Sequence, residues 1–137
     1  MKKFYRLSMF YTIIALIGGV FYREFTKFHQ FTDKTTLSII HTHAFILGTF
    51  FFLILLLLEK QFTLTKSKKM KPFLIFYNSG LVLTIFMLLV RGILTVLQTP
   101  LSNALTASIS GITGIGHLLL GIGFIYFFLI LKDTLDF

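Results

Sequence analysis

The chain contains no cysteine. Disulfides, thiolate metal sites and covalently attached c-type haem are therefore excluded. Charge is also scarce: 13% of the 137 residues are charged, where soluble domains carry about a quarter. Only five residues are acidic, Glu24, Asp33, Glu59, Asp133 and Asp136, and all lie near or beyond the ends of apolar runs. Intramembrane carboxylates of the kind that move protons or cations in many transporters are thus missing. There is no phosphate-cradling glycine loop, no carboxylate pair, no nucleophile triad and no internal repeat. Nothing here defines a catalytic residue, and enzymatic activity stays open.

What is abundant is apolar surface. Apolar residues make up 55% of the chain and aromatics 17%, eighteen of them Phe. A soluble domain of this size could not hide so much, because small domains leave a large share of their surface wet. Four apolar runs reach the roughly 20 residues needed to cross about 30 Å of hydrocarbon. They lie at residues 5–22, 36–58, 73–97 and 107–131. The first has a basic start, but no small-x-small cleavage site follows Gly18-Gly19, so it reads as a retained span. The expectation is one all-α domain, residues 1–137, built as an integral membrane four-helix bundle.

Lysine and arginine fall unevenly between the two ends. Lys2, Lys3, Arg6, Lys60, Lys66, Lys68, Lys69, Lys71 and Lys132 share one side, and Arg23, Lys27 and Lys34 the other. The richer side belongs in the cytoplasm, with both termini. The net charge of +8 then reflects orientation and lipid, not nucleic acid. The basic loop Glu59 to Pro72 reads first as a topology signal and second as an anionic-lipid site. The opposite loop runs from Arg23 to Thr35, and a short turn holds Pro100.

Ionisable residues inside spans are costly and become functional candidates. There are four: His41 and His43 on the second span, Arg91 on the third and His117 on the fourth. At 1.5 Å per residue they stand about 25, 22, 27 and 21 Å above the inner helix ends, nearly one level in the outer half. Helical phase places Ser110, Thr113, Gly114, Gly121, Phe124 and Phe128 on the His117 face. Leu37, Ala44, Phe45, Gly48 and Phe52 accompany His41, and Tyr77, Gly80, Thr84, Met87 and Thr95 accompany Arg91, a small and polar side expected to point inward. His43 lies opposite His41 among Ile39, Ile46, Leu47, Phe50 and Ile54, on a face suited to lipid or a second subunit.

Imidazole ligates haem iron, copper or zinc. A b-type haem needs facing histidines, a flat slot and a cation for its propionates. His41 and His117 would be the ligand pair, with His43 a further ligand. Gly48, Gly114 and Gly121 would form the slot, and Arg91 would meet the propionates. The competing reading is interhelical hydrogen bonding, worth roughly 1 kcal/mol per bond, with Arg91 snorkelling or paired to Glu24. Gly111, Gly114, Gly116, Gly121 and Gly123 serve close helix packing under either reading, and the stripe Phe50–Phe52 reads as lipid contact. His29, in the loop, is a minor candidate for a metal or proton role.

The segment His41-Thr42-His43-Ala44-Phe45-Ile46-Leu47-Gly48 resembles the His-x-His helix of haem-copper oxidase catalytic subunits, most closely the cbb3 type. The resemblance implies that the two histidines bind different haems on opposite faces of one helix. That family's copper-site histidines have no counterparts in this chain. Over its full length the chain is similar to an uncharacterised family of small bacterial four-span proteins, a domain of unknown function. The matching stretches are Gly19-Val20-Phe21-Tyr22-Arg23-Glu24-Phe25, His41-Thr42-His43, Leu89-Val90-Arg91-Gly92 and Gly116-His117-Leu118-Leu119-Leu120-Gly121-Ile122-Gly123. That resemblance implies a multi-pass protein of the bacterial cell membrane.

The leading expectation is a haem b protein for electron transfer or for handling haem or a diatomic gas, with a homodimer and a redox partner or quinone as partners. The alternatives are a small transporter or channel with a histidine proton or metal relay, and a non-enzymatic assembly or structural subunit. The charge asymmetry also yields a direct expectation. Reporter fusions after Lys66 should report cytoplasm and fusions near Lys27 the outside; the reverse pattern would overturn the orientation.

Overall fold

A computed structural model describes residues 1–135. Four long helices, each apolar enough to cross a membrane, account for the architecture. They are α1 (Lys2–Phe28), α2 (Thr36–Phe62), α3 (Met70–Val96) and α4 (Asn103–Leu135). No strand occurs among the described residues. Lipid offers the main chain no hydrogen-bond partners, so spanning segments satisfy theirs internally. The fold class and the four spans are as expected, and the helices overrun their apolar runs except at the end of α3, which stops at Val96. The largest overrun is in α1, which continues to Phe28 and shortens the first loop to the residues after it. Thr26 donates to Tyr22 O at 2.8 Å there, and Gln30, at φ 51°, turns the chain out of the helix. Thr63 and Gln98, at φ 50° and 49°, end α2 and α3 the same way.

The helices pack as a chain of neighbours: α1 on α2, α2 on α3, and α3 most extensively on α4. Glycine sets the last approach. A Cβ at Gly80 would stand 2.5 Å from the Leu120 nitrogen, and one at Gly116 would stand 2.6 Å from Thr84 Oγ1. Missing side chains let these backbones nearly touch, a common device in lipid, where dispersion replaces the hydrophobic effect between helices. Toward the lysine-rich end the core is aromatic. Phe51 stacks on Tyr77 with ring centres 4.6 Å apart, meets Phe124 and Phe127 edge-on at 5.4 and 5.2 Å, and Phe52 stacks on Tyr11 at 5.8 Å. Of the Phe50–Phe52 stripe only Phe50 faces outward; Phe52 is fully buried. The stripe wraps around the helix because consecutive residues point about 100° apart, so a run of three cannot all face lipid. A smaller cluster of Leu37, Ile40, Leu88 and Val96 fills the far end.

α1 and α3 meet sparingly. The Tyr11 hydroxyl donates to Asn78 Oδ1 at 3.0 Å and bridges them near mid-span. Beyond the bridge they part around an apolar groove of about 410 Å³, floored by Ile40 and flanked by Ile14, Phe21, Leu89 and Ile93.

The glycine contacts generate a test. Gly116→Ala should cost about 1–3 kcal/mol, since overpacking shifts two backbones. Gly114→Ala meets nothing within 4 Å and should be neutral or gain up to about 1 kcal/mol of helix propensity. Equal losses, measured by unfolding in mild detergent followed by circular dichroism, would contradict this packing.

Candidate functional site

The second span is not a regular helix. A 3₁₀ turn at Thr36–Ile39 leads into one α-helical turn, Ile40–His43, then a π-helical stretch, Ala44–Phe50, before α-helix resumes. The widened stretch follows the His-x-His pair directly. π-helical turns are rare and concentrate at functional sites. In lipid their loosened carbonyls need other donors, and two neighbours supply them. Tyr77 on α3 donates its hydroxyl to Leu47 O at 2.8 Å, and Ser8 on α1 donates to Thr49 O at 3.1 Å. Thr12 and Thr49 hydroxyls pair at 2.9 Å. Gly48 lies directly against the Tyr11 ring, which a Cβ would strike. Gly48 is therefore filled by Tyr11 and offers no slot for a flat cofactor.

The start of α2 is tied to α3. Thr35 donates to Gly92 O at 3.1 Å and Thr36 to Leu88 O at 2.8 Å. Little in the sequence points to Ser8, Tyr11, Thr35, Thr36, Thr49 and Asn78, because neutral hydroxyls and amides in apolar runs carry no charge signal, whereas Tyr77 falls on the inward face expected of Arg91. Their positions on inward phases were the available cue.

His41 lies beside α1. A Cβ at Gly19 would sit 3.8 Å from the His41 Cβ. Its Nδ1 is buried with no hydrogen-bond partner, and its Nε2 has only a long 3.4 Å contact with the Thr42 hydroxyl. His43 points to another side of α2, half-buried, with Nδ1 3.0 Å from Ile39 O one turn back. His117 is exposed on α4, with Nδ1 2.9 Å from Thr113 O, again one turn back. A ring nitrogen bonded to a carbonyl carries the proton, so Nε2 of His43 and of His117 presents a lone pair.

Of the expected ligand pair, His41 lies against α1 and His117 on the exposed face of α4. α4 docks on α3 through Gly116, Leu120 and Gly123, so Gly114 and Gly121, with nothing within 4 Å, face open space together with His117. The five glycines thus divide: Gly116 and Gly123 make close contacts, while Gly111, Gly114 and Gly121 make none. The physical reason is phase, since residues two apart on a helix point about 200° apart.

His117 nevertheless keeps company with α2. It precedes Phe124 by two turns on the same face, and Phe124 packs on Phe51 and Tyr77 at 5.4 and 5.3 Å. His43 and His117 both lie at the level of the α3 turn around Thr84, within about one helical turn of each other. Leu37 against Gly92, Tyr77 at Leu47 and Thr84 at Gly116 set that alignment. Thr84 itself is fully buried, and its hydroxyl, pressed on Gly116, has no partner.

On the Arg91 face, Tyr77, Gly80, Thr84 and Met87 are buried as expected, but Arg91 and Thr95 are exposed. Arg91 forms no ion pair among the described residues; Glu24 lies instead 3.6 Å from its neighbour Arg23. His29 caps α1, its Nδ1 2.9 Å from Phe25 O and its ring 4.4 Å from that of Phe25, a structural use. No cluster of three His, Cys, Asp or Glu residues exists among those described.

A family described as "Protein of unknown function (DUF2871)" matches residues 1–134, and the chain belongs to it. No curated protein and no solved structure matches. The local likeness to haem-copper oxidases finds no support in these comparisons.

The π-helical stretch suggests its own test. Tyr77→Phe removes the donor to Leu47 O and should cost about 0.6 kcal/mol, at most about 1.7. Amide exchange in the stretch Ala44–Phe50 should quicken with it. Unchanged exchange there would mean that the hydroxyl does not secure the widened turn.

Proposed function

We propose that this multi-pass membrane protein binds haem b in the outer half of the bilayer, for electron transfer or for handling haem or a diatomic gas. The observation that carries the reading is that His43 and His117 stand at one level within the spans, each with its Nε2 free of any hydrogen bond among the described residues. Each commits Nδ1 to its own helix, at 3.0 and 2.9 Å, and turns Nε2 outward. That arrangement fixes tautomer and ring orientation, as in ligating histidines. The open wall formed by Gly114 and Gly121 leaves room for a flat group beside His117, and exposed Arg91, two turns beyond Thr84, suits propionates. The ligand pair favoured by this geometry is His43 with His117 in place of His41 with His117. Haem would supply one-electron or gas-binding chemistry, and without cysteine it would be held by ligation and packing alone.

His117 is exposed and His43 half-buried, and a polar ring left to hydrocarbon is costly. A second copy covering the His43 and His117 faces would satisfy both, so the protein acts as a homodimer in a bacterial cell membrane with its termini in the cytoplasm. A redox partner or quinone would exchange electrons at the outer surface.

A second reading rests on a different atom. Buried, unpartnered His41 Nδ1 suits a proton or metal relay in a small transporter, with zinc or copper as cargo or ligand. If neither cofactor nor metal binds, an assembly or structural role remains. A visible absorption spectrum of the purified protein separates these: a Soret band supports haem, and bound zinc or copper without one supports the relay. Within the haem reading, His117→Ala and His43→Ala should each lose haem or change its spin state. Arg91→Leu should weaken retention or lower the midpoint potential, and His29→Ala should do neither. An unchanged spectrum and haem content in His117→Ala would end the assignment. A silent His43→Ala with an altered His41→Ala would move the ligand to the α1 side.

A further inference from the structure

The lysine-rich end carries a second feature, independent of the histidines. A cavity of about 450 Å³ opens between the start of α1, the α2–α3 loop and the start of α3. Lys3, Lys66, Lys68 and Lys71 line it from three separate segments, with Met70 and Leu74 as its apolar floor. None of the four lysines forms an ion pair among the described residues, and no carboxylate lines the cavity. The nearby acid, Asp133, serves the other side of the loop. There it grips Lys69 at 2.7 and 2.8 Å beside a second cavity, which shares Lys66, Ser67 and Lys68 with the first.

The loop that presents these amines is held firmly. The Glu59 carboxylate accepts from the Thr65 amide at 2.8 Å and also from the Thr65 hydroxyl. Leu64 is fully buried beneath it, and Ser67 Oγ accepts from the Lys69 amide at 3.2 Å. A fixed backbone sets four lysines around one cavity without first ordering a floppy segment, which lowers the entropic cost of binding an anion. A topology signal alone requires only that the lysines lie on one side. It does not require a shared cavity, a buried anchor or a carboxylate-capped turn.

We propose that this cavity binds the phosphate headgroup of an anionic phospholipid of the adjacent leaflet. Leu74 lies one turn into α3, so the cavity straddles the border between headgroups and hydrocarbon, where lysine stems run along apolar surface and their charges reach the interface. A soluble anion would gain nothing from the apolar floor, whereas a glycerol backbone would rest on it. The site does not depend on which way the protein faces the membrane.

The experiment uses the full-length protein in nanodiscs of phosphatidylcholine alone and with added phosphatidylglycerol or cardiolipin, followed by native mass spectrometry of retained lipid. The wild type should retain the anionic lipid in preference to phosphatidylcholine. Each interfacial lysine is worth about fivefold in binding, so the double variant Lys3→Gln with Lys71→Gln should bind about 25-fold more weakly. Lys132→Gln, an exposed charge at the same end but outside the cavity, should match the wild type. Circular dichroism of the variants checks that the helices are intact. Retention of phosphatidylcholine as strong as that of the anionic lipid would overturn the proposal. So would a loss in Lys132→Gln as large as in the double variant, or displacement of the lipid by millimolar inorganic phosphate.

Discussion

The half of the molecule away from the lysine-rich end depends on which of two glycine pairs on α4 meets α3. Gly116 and Gly123 lie seven residues apart, as do Gly114 and Gly121, so each pair makes one continuous groove along the helix. Only the first pair has a matching ridge. Thr84 presses into Gly116 and Tyr77 into Gly123, while Gly80 admits the backbone of α4 in return. Once that contact forms, the second pair must turn away, and His117 turns with it. Had α4 docked through Gly114 and Gly121, His117 would be buried in the α3 contact and unable to meet any ligand. The same choice that packs the bundle therefore sets the histidine free.

α2 answers to a different constraint. Its widened turn would be untenable facing lipid, because a loosened carbonyl there finds no water. Tyr77 and Ser8 make it tenable by donating to it from both flanks. Tyr77 has three duties at once: it abuts Gly123, stacks on Phe51 and serves Leu47 O. Substitution there would disturb α2, α3 and α4 together, and effects of nearby substitutions should not be additive. The widened turn follows His41 and His43, whose two-residue spacing points them to different sides of α2, His41 toward α1.

Much of the architecture was legible from composition and run length. Four long apolar runs permit little besides four spans, because only helices or closed barrels satisfy the main chain in hydrocarbon. The buried residues Tyr77, Gly80, Thr84 and Met87 followed from helical phase and came out inward. The neighbours of the histidines did not, for a specific reason. Phase says which residues share a face, but not which neighbour that face meets. Gly48 and His41 do share an inward side of α2, yet α1 occupies it, with Tyr11 in the place assigned to a cofactor. The π-helical stretch was illegible altogether. No proline or glycine pair announces it, and its cause lies in side chains on α1 and α3.

The nitrogen that each imidazole leaves free carries the remaining argument. His29, His43 and His117 all bond Nδ1 to a carbonyl four residues back, at 2.9 to 3.0 Å. That bond is a local habit of a histidine on a helix and cannot by itself mark a ligand, since His29 uses it while packed on Phe25. What distinguishes His43 and His117 is where the other nitrogen points. Both stand within hydrocarbon reach, on faces with open space, where an unpartnered lone pair is costly. His41 is the inverse case: its unpartnered nitrogen is buried on the side of α2 that faces α1. Access therefore divides the three rings between the two readings, the open pair fitting a macrocycle and the buried one a relay.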